Sequence, residues 1–233
     1  MNDRYASQWA AAAGETPPRP AFLKRLWMVL VRPEELFTAL AANPAWFPVA
    51  AFTAVVVGIS LALIPAEVFY GAVAEQATSP EQLGDLQEAP MILYKSLGVA
   101  SGAVVVLVLP VIVSLVTSVL FIFMRGDRAS FRQHLCVISH AGVILALGAL
   151  LVTPLRIRSL NIEETLAVGD FFPFLDGFLY NVLNGLDLFT LWSTVVAGLG
   201  LSLLDERRRW GPTAAVLVAI VVVLAVIRAF FTS

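Results

Sequence analysis

Apolar residues run through this chain in long blocks, and nearly every charged residue falls between the blocks. Stretches free of Asp, Glu, Lys and Arg are candidates for bilayer crossings, because one charge at the bilayer centre costs at least about 2.5–3.5 kcal/mol on insertion scales. Five stretches qualify, predicting spans over about 46–66, 96–124, 133–155, 187–204 and 210–229. Asn43-Pro44 breaks the chain ahead of the first, so that span begins near Trp46. The second is longer than a hydrocarbon core about 30 Å thick requires. Pro110, near its middle, predicts a kink there. The fold class that follows is an all-α, polytopic membrane helical bundle with five transmembrane helices.

The segments between the blocks carry patterns of their own. Residues 1–19 read as a flexible tail, and residues 20–45 as an amphipathic interfacial segment. Phe22, Leu23, Leu26, Trp27 and Leu30 recur at helical spacing beside Lys24 and Arg25, which predicts a short helix at headgroup depth with its bases near lipid phosphates. Pro33-Glu34-Glu35, following Arg32, is a helix start, with proline in the first turn and acids at the positive end of the dipole. Leu36, Phe37 and Leu40 line one face of that second short helix. Both helices could cap the bundle or bind a partner or lipid. The loop over 69–94 holds Glu75, Glu81, Asp85, Glu88, Pro80 and Pro90 and reads as a solvated connector. The loop over 156–186 is too apolar for open water: Phe171, Phe172, Phe174, Phe178 and Tyr180 predict an interfacial aromatic belt or a re-entrant segment.

Composition supports the membrane reading. Hydrophobic residues make up 59% of the 233 and charged residues 14%, where about 25% charged is usual for soluble domains. Mean hydropathy is +0.84. A soluble domain of this size could not hide that surface. The net charge of −2 gives no reason to expect nucleic acid. A lone cysteine, Cys136, excludes an intrachain disulfide or a CxxC site. Charge distribution orients the chain. With five spans, Arg4, Arg19, Lys24, Arg25, Arg32, Arg125, Arg128, Arg132 and Arg207 to Arg209 share one side, and Lys95, Arg156, Arg158 and Arg228 the other. The basic side should be cytoplasmic, placing the N-terminus inside and the C-terminus outside.

Reactive chemistry is sparse. Ser60, Ser114, Ser118, Ser139 and Ser193 are hydroxyls at membrane depth, with His140 as the one deep base, but no nucleophile-turn pattern surrounds them. His134 and His140, six residues apart on one helix, are rotated by about 240° and cannot clamp one metal. The expectation is therefore no catalytic residue, metal or cofactor, and no enzyme. Five spans without a deep acid also do not make a repeated-halves transporter. Packing signals are better represented: Gly98 and Gly102 form a GxxxG, and Ser114 and Ser118 continue small-residue spacing beyond Pro110. These fit packing within the bundle or a homo-oligomer.

Two stretches carry a resemblance. Arg32-Pro33-Glu34-Glu35-Leu36-Phe37 followed by Asn43-Pro44-Ala45-Trp46, and Leu183-Asn184-Gly185-Leu186-Asp187-Leu188-Phe189-Thr190-Leu191-Trp192, resemble the corresponding segments of bacterial members of the Yip domain family. The DLYGP motif of the eukaryotic, Rab-interacting branch is absent from the sequence. Arginine far outnumbers lysine, which suggests GC-rich coding and a bacterium. The resemblance implies a non-enzymatic multi-pass protein of the inner membrane, an accessory or scaffold subunit of a larger complex such as an envelope ABC exporter. Its partners would be membrane lipids and another integral membrane protein. The alternative is a lipid-handling or membrane-shaping protein acting through residues 20–45. The candidate contact residues are Lys24, Arg25, Trp27, Arg32, Pro33, Phe37, Asn43, Pro44, Trp46, Phe171, Phe172, Phe174, Asn184, Asp187, Phe189 and Trp192. Structure alone accounts for several of them: Asn43-Pro44 stops a helix, Trp46 anchors the interface, and Asn184 with Asp187 can cap the fourth span.

Overall fold

The computed structural model describes residues 19–124 and 126–232, so the expected tail over 1–19 lies almost wholly outside the described residues. The described chain is helical: α1 (Phe22–Val31), α2 (Pro33–Ala41), α3 (Phe47–Leu63), α4 (Ala66–Ala74), α5 (Pro80–Glu88), α6 (Met91–Ser118), α7 (Phe131–Ser159), α8 (Gly177–Asn184), α9 (Leu188–Ser202) and α10 (Trp210–Thr232).

Local chemistry sets these boundaries. Arg32 is held out of the helical region by the proline that follows it, which separates α1 from α2, and Pro33, Glu34 and Glu35 occupy the first turn of α2. Ile64, ahead of Pro65, is extended in the same way. There α3 and α4 bend by 88°. At the start of α7, Ser130 and Gln133 form a capping box, the Ser130 hydroxyl accepting from Gln133 N and Gln133 Oε1 accepting from Ser130 N at 2.7 Å. Asp187 caps α9, accepting from Thr190 N at 2.7 Å.

Among the described residues, five helices of 15 residues or more build the bundle. α3, α7 and α10 leave the end formed by α1, α2 and the turn over 203–209, and α6 and α9 return to it. α7 is the centre and packs on α1, α2, α3, α6 and α9. Of its apolar 18-residue stretch 67% is buried, against 22% of the corresponding stretches of α6 and α10. Glycines allow the closest approaches. A Cβ on Gly198 would lie 2.5 Å from the Ala214 Cα, and one on Gly200 would strike Phe37 and Val137.

Length and composition qualify fewer crossings than the five expected. The stretches Met91–Phe123, Phe131–Ser159 and Trp210–Phe231 are each long and apolar enough, and α3 with α4 makes a fourth if the bent pair counts as one. At 15 residues, α9 is about 22 Å long and falls short of a core about 30 Å thick.

α6 carries Pro110 inside one helix, and the Pro110 carbonyl accepts from the Ser114 hydroxyl at 2.5 Å. The irregular turn lies beyond it, at Val119–Phe123, where the chain widens to π-helical closure with Met124 N donating to Val119 O at 3.1 Å. The 69–94 connector is not simply solvated. Val68 and Phe69 of α4 bury against Ile64, with Leu61, Tyr94, Val99 and Ile162 around them, in a small second core. The apolar face of Ala66–Ala74 explains it.

Candidate docking site at the basic end of the bundle

At the end where α1, α2 and the start of α7 meet, two loops are locked together. Asp127, just beyond the π turn, pairs with Arg208, and both side chains are nearly fully buried, at 5% and 3% exposed. Arg208 also donates from Nη1 to Leu201 O at 2.6 Å, and its guanidinium stacks 4.4 Å from the Phe121 ring centre. Asp205 adds a second tie. Its carboxylate accepts from Arg128 N at 3.0 Å, Arg207 N at 2.9 Å and the Arg207 guanidinium at 3.0 and 3.1 Å. Those hydrogen bonds, Arg207's first among them, hold the Asp205 carboxyl well below the usual carboxylate range. Arg207 reaches back to Gly126 O at 2.9 Å. On the other flank, Gln133 Nε2 donates to Ala41 O at 2.7 Å, fixing the end of α2 to α7.

Beside this clamp opens a groove of about 1310 Å³. One wall is α2, at Pro33 and Thr38, and the other is α9, at Trp192, Val195 and Leu199, with Trp210 at the mouth.

The residues expected to make contacts divide sharply. Pro33 and Trp192 line the groove. Lys24 and Trp27 point outward from α1, and Trp27 is 64% exposed. Arg32 is exposed beside Glu35, 3.5 Å away. Arg25 does not reach lipid phosphates: only 5% exposed, it lies under α1 with Nη1 donating to Ala45 O at 3.3 Å. Burial lowers its pKa, with Arg19 pushing the same way. Phe37 is a core residue, fully buried in the same cluster as Val137 and Leu201. Phe189 packs on that cluster over Gly148. The apolar face that made α2 look like a docking helix is the face it buries in its own bundle.

Asn43 accepts from Arg19, Pro44 is half-buried, and Trp46 packs against the core with its ring edge-on to Phe47. Phe171, Phe172 and Phe174 lie at the opposite end, exposed around a short 3₁₀ turn, Val168–Phe171. Asn184 ends α8 and is exposed; its backbone lies under Gly169, and it is Asp187 that caps α9. Gly98 and Gly102 face Phe69 and Leu61 of their own chain. Ser114 and Ser118 are buried. His140 is buried on α7, its Nδ1 2.8 Å from Cys136 O.

Sequence reasoning missed Asp127, Asp205 and the arginines at 207 to 209 as a unit. The signal was the dense run Asp205-Glu206-Arg207-Arg208-Arg209, which counts as an orienting basic loop but also supplies acids for its own arginines.

Neither a curated protein nor a solved structure matches the chain. A family model, that of the Yip1 domain, matches residues 27–231, from α1 to the last turns of α10. The match spans both segments that carried the resemblance and the five long helices, and the chain therefore belongs to the Yip1 domain family.

Proposed function

We propose that this chain is a non-enzymatic accessory protein of a bacterial inner membrane, which binds and steadies a larger membrane complex such as an envelope ABC exporter. The observation that carries the reading is the contrast between α7 and α6. Several polar side chains of the interior bond within the bundle: Ser60 to Ala149 O and Thr153, Ser193 to Ala141 O, and His134 Nδ1 to Thr117. α6 instead presents Val104, Val105, Val108, Ile112 and Leu115 outward along most of its length. A helix of that kind is either lipid-facing or packed on another membrane protein. The basic segments gather at one end, which supports a cytoplasmic N-terminus and, with five traverses, an external C-terminus.

Site-specific photo-cross-linking from Val108 and Ile112 in intact cells tests this reading at native expression. The expected product is a heterotypic adduct with a transmembrane subunit of an ABC exporter. Lipid adducts alone, together with a partner-free monomer in mild detergent, would sink it. One observation favours the lipid-acting alternative: Leu23, Trp27 and Val31 expose a stripe at i, i+4 and i+8 on α1. For that alternative, Trp27→Glu in the reconstituted full chain should abolish vesicle remodelling, and an unchanged vesicle shape on adding the wild-type chain would remove it.

A further inference from the structure

The groove between α2 and α9 has walls and a mouth of different chemistry. Its α9 wall is mainly apolar and partly open, Trp192 and Val195 each 39% exposed, while the α2 wall brings Pro33, Glu34 and Thr38. From Trp192 to Leu203 the wall runs about 16 Å along the helix axis, the scale of an extended acyl chain segment rather than of a compact solute.

The mouth is built from the turn that joins α9 to α10. Two of its three arginines are already engaged, Arg207 by Asp205 and Arg208 by Asp127. Arg209 and Glu206 are exposed and line the groove, and their side chains have neither a hydrogen-bond nor an ion-pair partner among the described residues, the Arg209 carbonyl alone accepting from Thr213. Beside them begins α10, where Pro212 has no N–H and Thr213 N donates to Arg209 O at 3.2 Å, so the amides of Trp210 and Gly211 are the two without an acceptor in the helix at the positive end of its dipole. Gly211 in that first turn has nothing within 4 Å of where a Cβ would stand, so the backbone is open to the groove. An anion subsite (Arg209 and the α10 start) therefore sits next to a cation subsite (Glu206), above an apolar slot.

The short α9 supplies the reason a lipid would enter. A helix about 8 Å shorter than the hydrocarbon core is accommodated by local thinning of the bilayer, which draws headgroups down toward its ends. Trp210 stands at that end, 58% exposed, as an interfacial anchor.

We propose that the groove holds a zwitterionic phospholipid of the ethanolamine type. Its phosphate sits against Arg209 and the N-terminus of α10, its primary ammonium against Glu206, and one acyl chain lies along Trp192, Val195 and Leu199 under α2. Phosphatidylglycerol would satisfy the first subsite with the same phosphate but bring a neutral glycerol, in place of an ammonium, to Glu206, and so forgoes the charge-assisted contact. A choline headgroup matches in charge but brings no N–H donor to the carboxylate.

Native mass spectrometry of the full chain in detergent micelles tests this directly, with phosphatidylethanolamine, phosphatidylcholine and phosphatidylglycerol of identical acyl chains at equal amounts. The expected result is preferential retention of one phosphatidylethanolamine. Arg209→Gln and Glu206→Gln should each reduce that retention about tenfold, while Arg158→Gln, an exposed base at the far end, leaves it unchanged. Val195→Trp, which fills the slot at an exposed position, should do the same as the charge variants and covers the case in which they misfold. Equal retention of the three lipids overturns the proposal. So does a preference for phosphatidylglycerol, or a phosphatidylethanolamine preference that survives all three groove variants.

Discussion

The two ends of the bundle use similar residues to opposite effect. At the basic end, Arg208 and Asp127 are buried together and bind two loops that are 81 residues apart in sequence. At the other end, Arg228 and Glu163 form an ion pair of 3.4 Å with side chains 59% and 71% exposed. Burial decides what each pair contributes. Removing one partner of a buried pair leaves an uncompensated charge and costs about 3–5 kcal/mol, whereas exposed pairs contribute about 0–1 kcal/mol. The aromatic residues follow the same division. Phe37 and Phe121 are enclosed at the basic end, while Phe171 and Phe174 stand outward at the other. One end is a fixed platform, and the other is a surface held by a short backbone ladder between Leu166–Val168 and Leu186–Leu188.

The largest effect expected from breaking this contrast is at Arg208. Arg208→Ala should lower stability by about 3–5 kcal/mol, measured as the shift of the unfolding transition in mild detergent. A loss under 1 kcal/mol would mean that water reaches Asp127 freely and the platform is not dry. Next comes Gly198→Val. The added side chain meets the Ala214 backbone at 2.5 Å, which cannot move without separating α9 from α10, and a cost of about 1–3 kcal/mol is expected. Gly58→Val, where nothing lies within 4 Å of the added Cβ, is the matched control on α3.

How far the sequence foretold this contrast depends on the residue. The long apolar helices, the breaks at Pro33 and Asn43-Pro44, and the Asp187 cap were legible because each is a local effect of backbone geometry or of a long apolar block. Arg25 and Phe37 were misplaced for a tertiary reason. Helical spacing shows that α1 and α2 have an apolar side, but not whether that side meets lipid or α7, and the small residue that admits Phe37 is Gly200, more than 160 positions away. The groove was illegible for the same reason: Pro33 and Trp192 are both conspicuous in sequence, yet nothing local says that they face each other. The 88° bend at Pro65 could be read as a stop but not as a turn that builds a second small core.

Asp205 distinguishes a partly exposed tie from a buried one. Its hydrogen bonds are charge-assisted, worth about 1.5–3 kcal/mol as a class, and the exposed Arg207 partner moves the expectation for Asp205→Asn to the low end of that range. The sign of its pH dependence follows from the depressed native pKa. Above the unfolded value of about 3.9 the stabilisation is fully present, and it fades as pH falls below that value toward the native one. The wild-type melting temperature should therefore drop between about pH 4 and pH 2 more steeply than that of Asp205→Asn. Parallel curves would remove Asp205 from the clamp.

The smallest effect is expected at the far end, and its smallness is the point. Arg228→Ala gives up an exposed pair that water and salt screen, so stability should change by less than about 1 kcal/mol. Phe174→Ser, at 77% exposure, should change detergent stability by no more than about 0.5 kcal/mol. The same two variants should move differently once a bilayer is present. Phe174 at an interface contributes apolar area that detergent replaces easily, and Arg228 does not. Comparing each variant in micelles and in nanodiscs separates the two cases. A Phe174→Ser penalty that appears only in nanodiscs would mark this end as a bilayer-facing belt. Equal behaviour in both media would leave the exposed phenylalanines as a surface for another protein.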